Sequence, residues 1–309
     1  ALAFYTSGDD TTLDEAMRIN SNGSIMSAHA SGATSNTAFG EDAGIALASG
    51  ANYNTLFGHG AGQSITTADQ NVLIGFQAGD AIVDGGHFNI AMGTNALGSL
   101  TSGDENIAIG DSAGVNMTGT SRCVLVGSGA GLDINADGAE GSANTALGYQ
   151  ALLTNVAGGR NTAIGFQSLK VSTAGSAADH FNTAVGYKSG LALTSGTHNV
   201  FIGGRAGLGT QLVDKTVIIG AEAGEGVMDA DADGTIAIGY KAGTAITSGE
   251  HNTAIGFESL LVATDANGCT ALGKSTLKSV NKSGNSLCTA VGFQAGTAVT
   301  DGVNNSMYG

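Results

Sequence analysis

A five-residue phrase, Asn-Thr-Ala-Ile-Gly with conservative variation, returns sixteen times along the chain. It appears as Asn36-Thr37-Ala38-Phe39-Gly40, as Asn161-Thr162-Ala163-Ile164-Gly165 and as Asn252-Thr253-Ala254-Ile255-Gly256. The glycines that close it are separated by 17 or 18 residues, apart from two steps of 19 and two of 21. A short fixed period means one structural unit stacked on itself. The expected fold is all-β: a parallel β-solenoid, either a β-roll or a three-sided β-helix, of about sixteen coils of 17–21 residues. Stacked at about 4.8 Å per coil, the array would make a rod of roughly 70 Å. Residues 1–30 read as an N-terminal strand or hairpin segment and residues 31–309 as the repeat domain.

Composition supports order rather than a flexible linker. The chain has 51 glycines among 309 residues and no proline or tryptophan. The glycines are periodic, and an aliphatic or aromatic residue stands before nearly every anchor glycine. Helix is disfavoured, because glycine costs about 1 kcal/mol per helical site. No apolar run approaches the roughly 20 residues that a membrane helix needs. The first residues lack the charged start and apolar core of a signal peptide. The chain opens on Ala rather than Met, which suggests a processed product or a piece of something longer. A formal charge of −15 disfavours a basic patch for nucleic acid or anionic membrane and favours cation binding.

Within each unit, positions count from the anchor glycine. Four residues before it stands Asn in eleven units, and all three cysteines of the chain, Cys123, Cys269 and Cys288, occupy this slot. They therefore read as small members of a stacked ladder, with a Cys269–Cys288 disulfide between neighbouring units as an option. Stacked Asn side chains can bond along such a ladder. The next three residues alternate. The first is mostly Thr, Val or Ile, the third is a larger apolar residue, and the middle one is Ala in ten units. Strand geometry sends the first and third to one face and the middle to the other. The alanine row is expected to face outward and to be covered by copies of the same chain, giving a side-by-side homotrimer. After the glycine comes a second element, such as Phe76-Gln77-Ala78-Gly79, followed by a loop of variable length.

The phrase with its following Phe/Tyr-Gln-Ala-Gly resembles the head repeats of YadA-like trimeric autotransporter adhesins. It is still more similar to repeat arrays in the tail fibres of marine tailed phages. Ala16-Met17-Arg18-Ile19-Asn20-Ser21-Asn22-Gly23-Ser24-Ile25 is similar to a hairpin segment that precedes such arrays, and Asn22-Gly23 suits a tight turn. The resemblance covers about residues 16 to 309. It implies a left-handed parallel β-roll, three chains side by side, a place in a virion tail fibre, and attachment to a host-surface glycan or protein receptor. A cellular surface filament or adhesin, located outside the cell, is the second reading. The last unit ends in register without a cap, so the expectation is either that the chain continued and was cut or that subunits stack end to end. An ice-binding solenoid is a third reading, disfavoured because Thr fills the first strand position in only eight units.

Candidate chemistry lies in the loops. Asp229, Asp231 and Asp233, closed by Gly234, alternate carboxylates as a calcium loop does, and Asp133, Asn135 and Asp137 form a second version. Four histidines, His87, His180, His198 and His251, stand just before the Asn slot, and Lys274, Lys278 and Lys282 form a local basic cluster. Gly127-Ser128-Gly129-Ala130-Gly131 is glycine-rich but lacks the βαβ context of a nucleotide loop. No catalytic set, cofactor site or paired carboxylates of a glycan-cleaving groove rise above the repeat background. The expectation is a non-enzymatic structural fibre.

Overall fold

In the computed structural model, residues 2–7, 13–19, 25–27, 35–134, 143–155, 158–172, 180–280, 284–301 and 303–309 are described. The protein is all-β and its repeats form a parallel β-solenoid. It divides into two compact units, Ala1–Ala139 and Glu140–Gly309. The division falls in the first lengthened repeat.

The first unit opens with an antiparallel sheet of Leu2–Ser7, Leu13–Ile19 and Ile25–Ser27, in which Ile19 pairs with Ile25. The expected hairpin is therefore present, while Asn22-Gly23 lies outside the described residues. Six parallel three-residue strands follow, from Thr37–Phe39 to Val124–Val126. The second unit holds ten more, from Thr145–Leu147 to Ser306–Tyr308. Every strand is the Thr-Ala-Ile segment of the phrase, and each residue pairs with its equivalent in the next coil, as Thr253 does with Thr270.

The rest of the coil is turns. After Gly58, the N–H groups of Ala61, Gln63 and Ile65 donate to the carbonyls of Gly58, Gly60 and Gly62, three successive tight turns. The alternate N–H groups reach neighbouring coils, Gly60 to Glu41 and Gly62 to Ala78. An ordinary coil of 17 residues thus holds one short strand, and these bonds close the rest of its circuit. Among the described residues a further pairing joins Thr154–Asn155 with Val171–Ser172 and Ala266–Asn267 with Gly284–Asn285, each between a 17-residue coil and the lengthened coil that follows it. The anchor glycine is required at the corner: at Gly165, φ is +130° and an added Cβ would stand 2.4 Å from the carbonyl oxygen of Gly186. No L side chain fits there.

The alanine row faces inward, not outward. Ala91, Ala108, Ala146, Ala163, Ala184, Ala237, Ala254, Ala271 and Ala290 are fully buried, as are their larger counterparts Leu56, Leu73, Leu125, Phe201 and Ile218. The first and third strand residues face out; Phe39, Phe57, Met92, Ile109, Leu147, Ile202 and Leu272 are all exposed. The inside is narrow, and volume decides its occupants. The residue four after the anchor shares the space with the middle strand residue. Leu stands there at 97, 152, 169, 260 and 277, and in each of those coils the middle residue is Ala. Where the middle residue is Leu56, Leu73, Leu125, Phe201 or Ile218, the fourth is Gly. At Gly207 an added Cβ would lie 2.4 Å from the Phe201 ring.

The Asn ladder is buried and works through the backbone. Where an Asn fills the slot one coil earlier, its Oδ1 accepts from the N–H of the next slot residue: Asn54 donates to Asn36 at 2.8 Å, Asn89 to Asn71 at 2.9 Å, Asn199 to Asn182 at 3.0 Å. In most of these coils the Nδ2 donates fourteen or fifteen residues onward, Asn54 to the Ala68 carbonyl at 2.9 Å and Asn199 to the Val213 carbonyl at 2.7 Å. One side chain thus supplies partners for two buried backbone groups that the strand ladder leaves over. Cys123, Cys269 and Thr216 keep the same backbone donation, to Asn106, Asn252 and Asn199. The three cysteines are buried and none is in a disulfide, so the Cys269–Cys288 bridge is not formed.

Candidate functional site

With the middle residues inside, the outward sheet carries the first and third residues of each strand. Of these 32 positions, none is charged and 23 are apolar; the remainder are eight Thr and Ser306. The chain as a whole carries 37 charged residues at 309 positions. In each unit this gives a strand face without charge. It forms because the strand must alternate, the inside accepts only what fits, and the outer positions are left to β-branched residues that favour a pleated surface.

Directly after the strand runs a column of exposed rings. Tyr149, Phe166 and Tyr187 stack in sequence with centroids 5.3 and 5.4 Å apart, and Tyr240 meets Phe257 at 5.3 Å. Because these rings cover one another's faces, they offer edges to solvent. Lys188 and Lys241 lie over Tyr187 and Tyr240, each 5.3 Å from the centroid, and Lys274 lies between Phe257 and Phe293. Lys278 pairs with Glu258 at 2.6 Å and Lys241 with Glu222 at 3.4 Å, while Arg205 pairs with Glu225. Lys274 and Lys278 are thus engaged within the coil stack rather than forming an open basic patch, and Lys282 lies outside the described residues. Gly127-Ser128-Gly129-Ala130-Gly131 is the corner and turn of a coil, with positive φ at each glycine.

Asp229 begins a short 3-10 turn, Ala230–Ala232, and its Oδ1 accepts from the Asp231 N–H at 3.0 Å. Asp233 Oδ1 accepts from the Asp214 N–H one coil earlier at 2.7 Å. Two of the three carboxylates therefore serve the backbone, and the trio does not converge as a cation-binding set. Asp133 accepts from Asn116 across the coil step; Asn135 and Asp137 lie outside the described residues. One group among the described residues does bring ligand atoms within 4.8 Å of one another: Glu41, Asp42 and His59. It is exposed, and the His59 ring stacks on Phe76 at 5.3 Å. Carboxylate oxygens with one imidazole could hold a divalent cation. Sequence spacing hid this trio, because Glu41 and His59 meet only through stacking of adjacent coils.

The histidines separate. His198 is exposed and lies against Phe181 at 5.2 Å, while His180 is buried with its Nδ1 3.5 Å from Ser172 Oγ. Asn155, also buried, exchanges hydrogen bonds with Gly158 beside them. Burial holds the His180 imidazole below its ordinary 6.5, partly opposed by the Asp214 carboxylate. The Ser172–His180 pair, which no motif announced, is closed off from a substrate. Burial likewise pushes the Cys269 thiol up, away from thiolate chemistry.

No family model matches this chain, and neither a curated protein nor a solved structure matches it. No helix among the described residues is long and apolar enough to cross a membrane.

Proposed function

We propose that this chain is a structural element of a surface-attachment fibre, of the kind found in phage tail fibres, that spaces or presents contacts to a host surface. The observation that carries the reading is the repeat itself. The same coil is repeated sixteen times, its interior filled by its own apolar and Asn columns, and its length varies only between the copies of the strand phrase. Such a stack presents many equivalent contacts, and multivalent contact raises avidity without a single deep pocket. The resemblance of the repeat to tail-fibre arrays and YadA-like heads points the same way. A cellular surface filament or adhesin built from the same coils is the second reading.

Adsorption of the fluorescently labelled protein to a panel of intact bacteria tests the reading. Saturable attachment to some strains, competed by the unlabelled protein and by envelope glycans from those strains, is expected. Absence of saturable attachment across the panel would remove host-surface contact from the account. Electron microscopy of the purified protein separates the two owners, since long polymers favour the cellular filament and discrete particles the fibre segment.

A further inference from the structure

We propose that a gap in the ring column of the second unit, between Tyr187 and Tyr240, is a binding site for a planar aromatic acid. The site does not depend on the fibre reading. The residue one after the anchor glycine is Tyr149, Phe166 and Tyr187 in three successive coils, then Gly204 and Ala221, then Tyr240 and Phe257. Two coils in the middle of the column therefore carry no ring. The coils stay in register across them: the Arg205 N–H donates to the Tyr187 carbonyl at 2.8 Å, Glu222 to Gly204 at 3.0 Å and Lys241 to Ala221 at 3.1 Å. Phe166 covers one face of Tyr187 and Phe257 one face of Tyr240, so the opposite faces of these two exposed rings look into the gap. The floor is open as well. A Cβ added at Gly204 would meet nothing within 4 Å, and Ala221 is exposed.

Shape and charge select the ligand. Three coil steps of about 4.8 Å separate the Tyr187 rung from the Tyr240 rung, about 14 Å in all. The rungs that the column does carry are flat: Tyr149, Phe166 and Tyr187 stack within 20° of parallel at 5.3 and 5.4 Å. A flat ring system laid on Tyr187 continues that stack at the separation aromatic pairs prefer. A puckered aliphatic ring brings no π face to it. The charges at the rim decide the rest. Arg205 is matched to Glu225 and Lys241 to Glu222. Lys188 has its ammonium 5.3 Å from the Tyr187 centroid and forms no ion pair among the described residues. On its flexible stem that ammonium moves to the rim when a ligand takes the ring face, and a carboxylate on the ligand meets it there in a charge-assisted hydrogen bond.

Equilibrium dialysis of the full chain against naphthoate tests the site, with cyclohexanecarboxylate as an acid of the same charge that is not flat. Saturable binding of naphthoate is expected, at least about tenfold tighter than that of cyclohexanecarboxylate. Gly204→Tyr supplies the missing rung. The Gly204 backbone lies outside the left-handed region, and rings stand at the equivalent place in other coils, so the fold accepts the change. This variant is expected to abolish naphthoate binding with an unchanged circular dichroism spectrum. Tyr187→Ala removes the wall and is expected to weaken binding at least about tenfold, which keeps the test open should Gly204→Tyr misfold. Lys188→Gln should weaken naphthoate and leave the neutral analogue naphthalenemethanol unchanged. Phe76→Ala, in the ring column of the first unit, should leave naphthoate binding as it was. Absence of saturable binding would overturn the proposal. So would binding that survives unchanged in folded Gly204→Tyr or Tyr187→Ala, or that Phe76→Ala removes. Equal affinity for cyclohexanecarboxylate, or tighter binding of the sugar acid glucuronate, would overturn the assignment to a flat aromatic ligand.

Discussion

At the scale of single residues, two side chains show how the coil closes its accounts with buried polar groups. Asn89 accepts from the Asn106 N–H at 3.0 Å and donates to the Gly103 carbonyl at 2.8 Å, both out of contact with water. Asn89→Ala strands both, and at 1–3 kcal/mol for each unsatisfied buried group the cost is about 2–5 kcal/mol. Asn89→Thr should cost less, since Thr216 occupies the same slot while its own N–H still donates to Asn199. Urea melts of the three proteins check the order. His180 supplies a pH dependence. Its pKa is lowered in the folded state by burial, so the unfolded chain takes up a proton first as pH falls. Stability from this group is complete above the ordinary 6.5 and is lost progressively below it. Melting temperature should therefore drop between pH 7.5 and 5.5, and His180→Gln should flatten that part of the curve. An unchanged slope in the variant would show that another group drives it.

At the scale of the strand and its corner, the decisive relation is between the middle strand residue and the residue four after the anchor. Phe201 and Gly207 fill one layer together, as Ala91 and Leu97 fill another. Phe201→Ala should cost about 3–5 kcal/mol, as large-to-small changes in cores do. Gly207→Leu alone should overpack the same layer. Together they should recover part of both losses, with a favourable coupling of about 1–3 kcal/mol. The backbone tolerates the change, because Leu97 already sits at φ +54° in the equivalent place. Additive costs in denaturant melts would show that the two side chains do not share a layer. The same relation explains what the sequence made legible. Period, strand position and the parallel stack followed from the phrase, since alternation of Thr, Ala and Ile has one geometric reading. Which face was inside did not follow, because both alternating sets are apolar and polarity could not tell them apart. The reciprocal pairing of Ala with Leu and of Leu or Phe with Gly was the readable signal, and it is a signal of volume. The contacts of Glu41 with His59 and of Ser172 with His180 were hidden for a different reason: they arise only when coils are stacked with their insertions in place.

At the scale of the whole molecule, inversion of the alternating faces changes where function is sought. An outward alanine row would have offered copies of the chain a close-approach seam. The outward Thr/Val/Ile and Ile/Phe/Leu columns instead offer a broad sheet without charge, while ion pairs such as Lys278–Glu258 and the aromatic stacks occupy other parts of the coil. Which side chains a partner could meet depends on that assignment of faces. It is tested most directly by thiol reactivity in a chain whose three native cysteines are replaced by Ser. Single cysteines are introduced at Thr253, outward in its strand, and at Ala254, the fully buried neighbour. With a small methanethiosulfonate reagent at high dilution, Thr253→Cys should label at least about a hundredfold faster than Ala254→Cys, whose modification requires the coil to open. Labelling of Ala254→Cys as fast as, or faster than, Thr253→Cys would contradict the account.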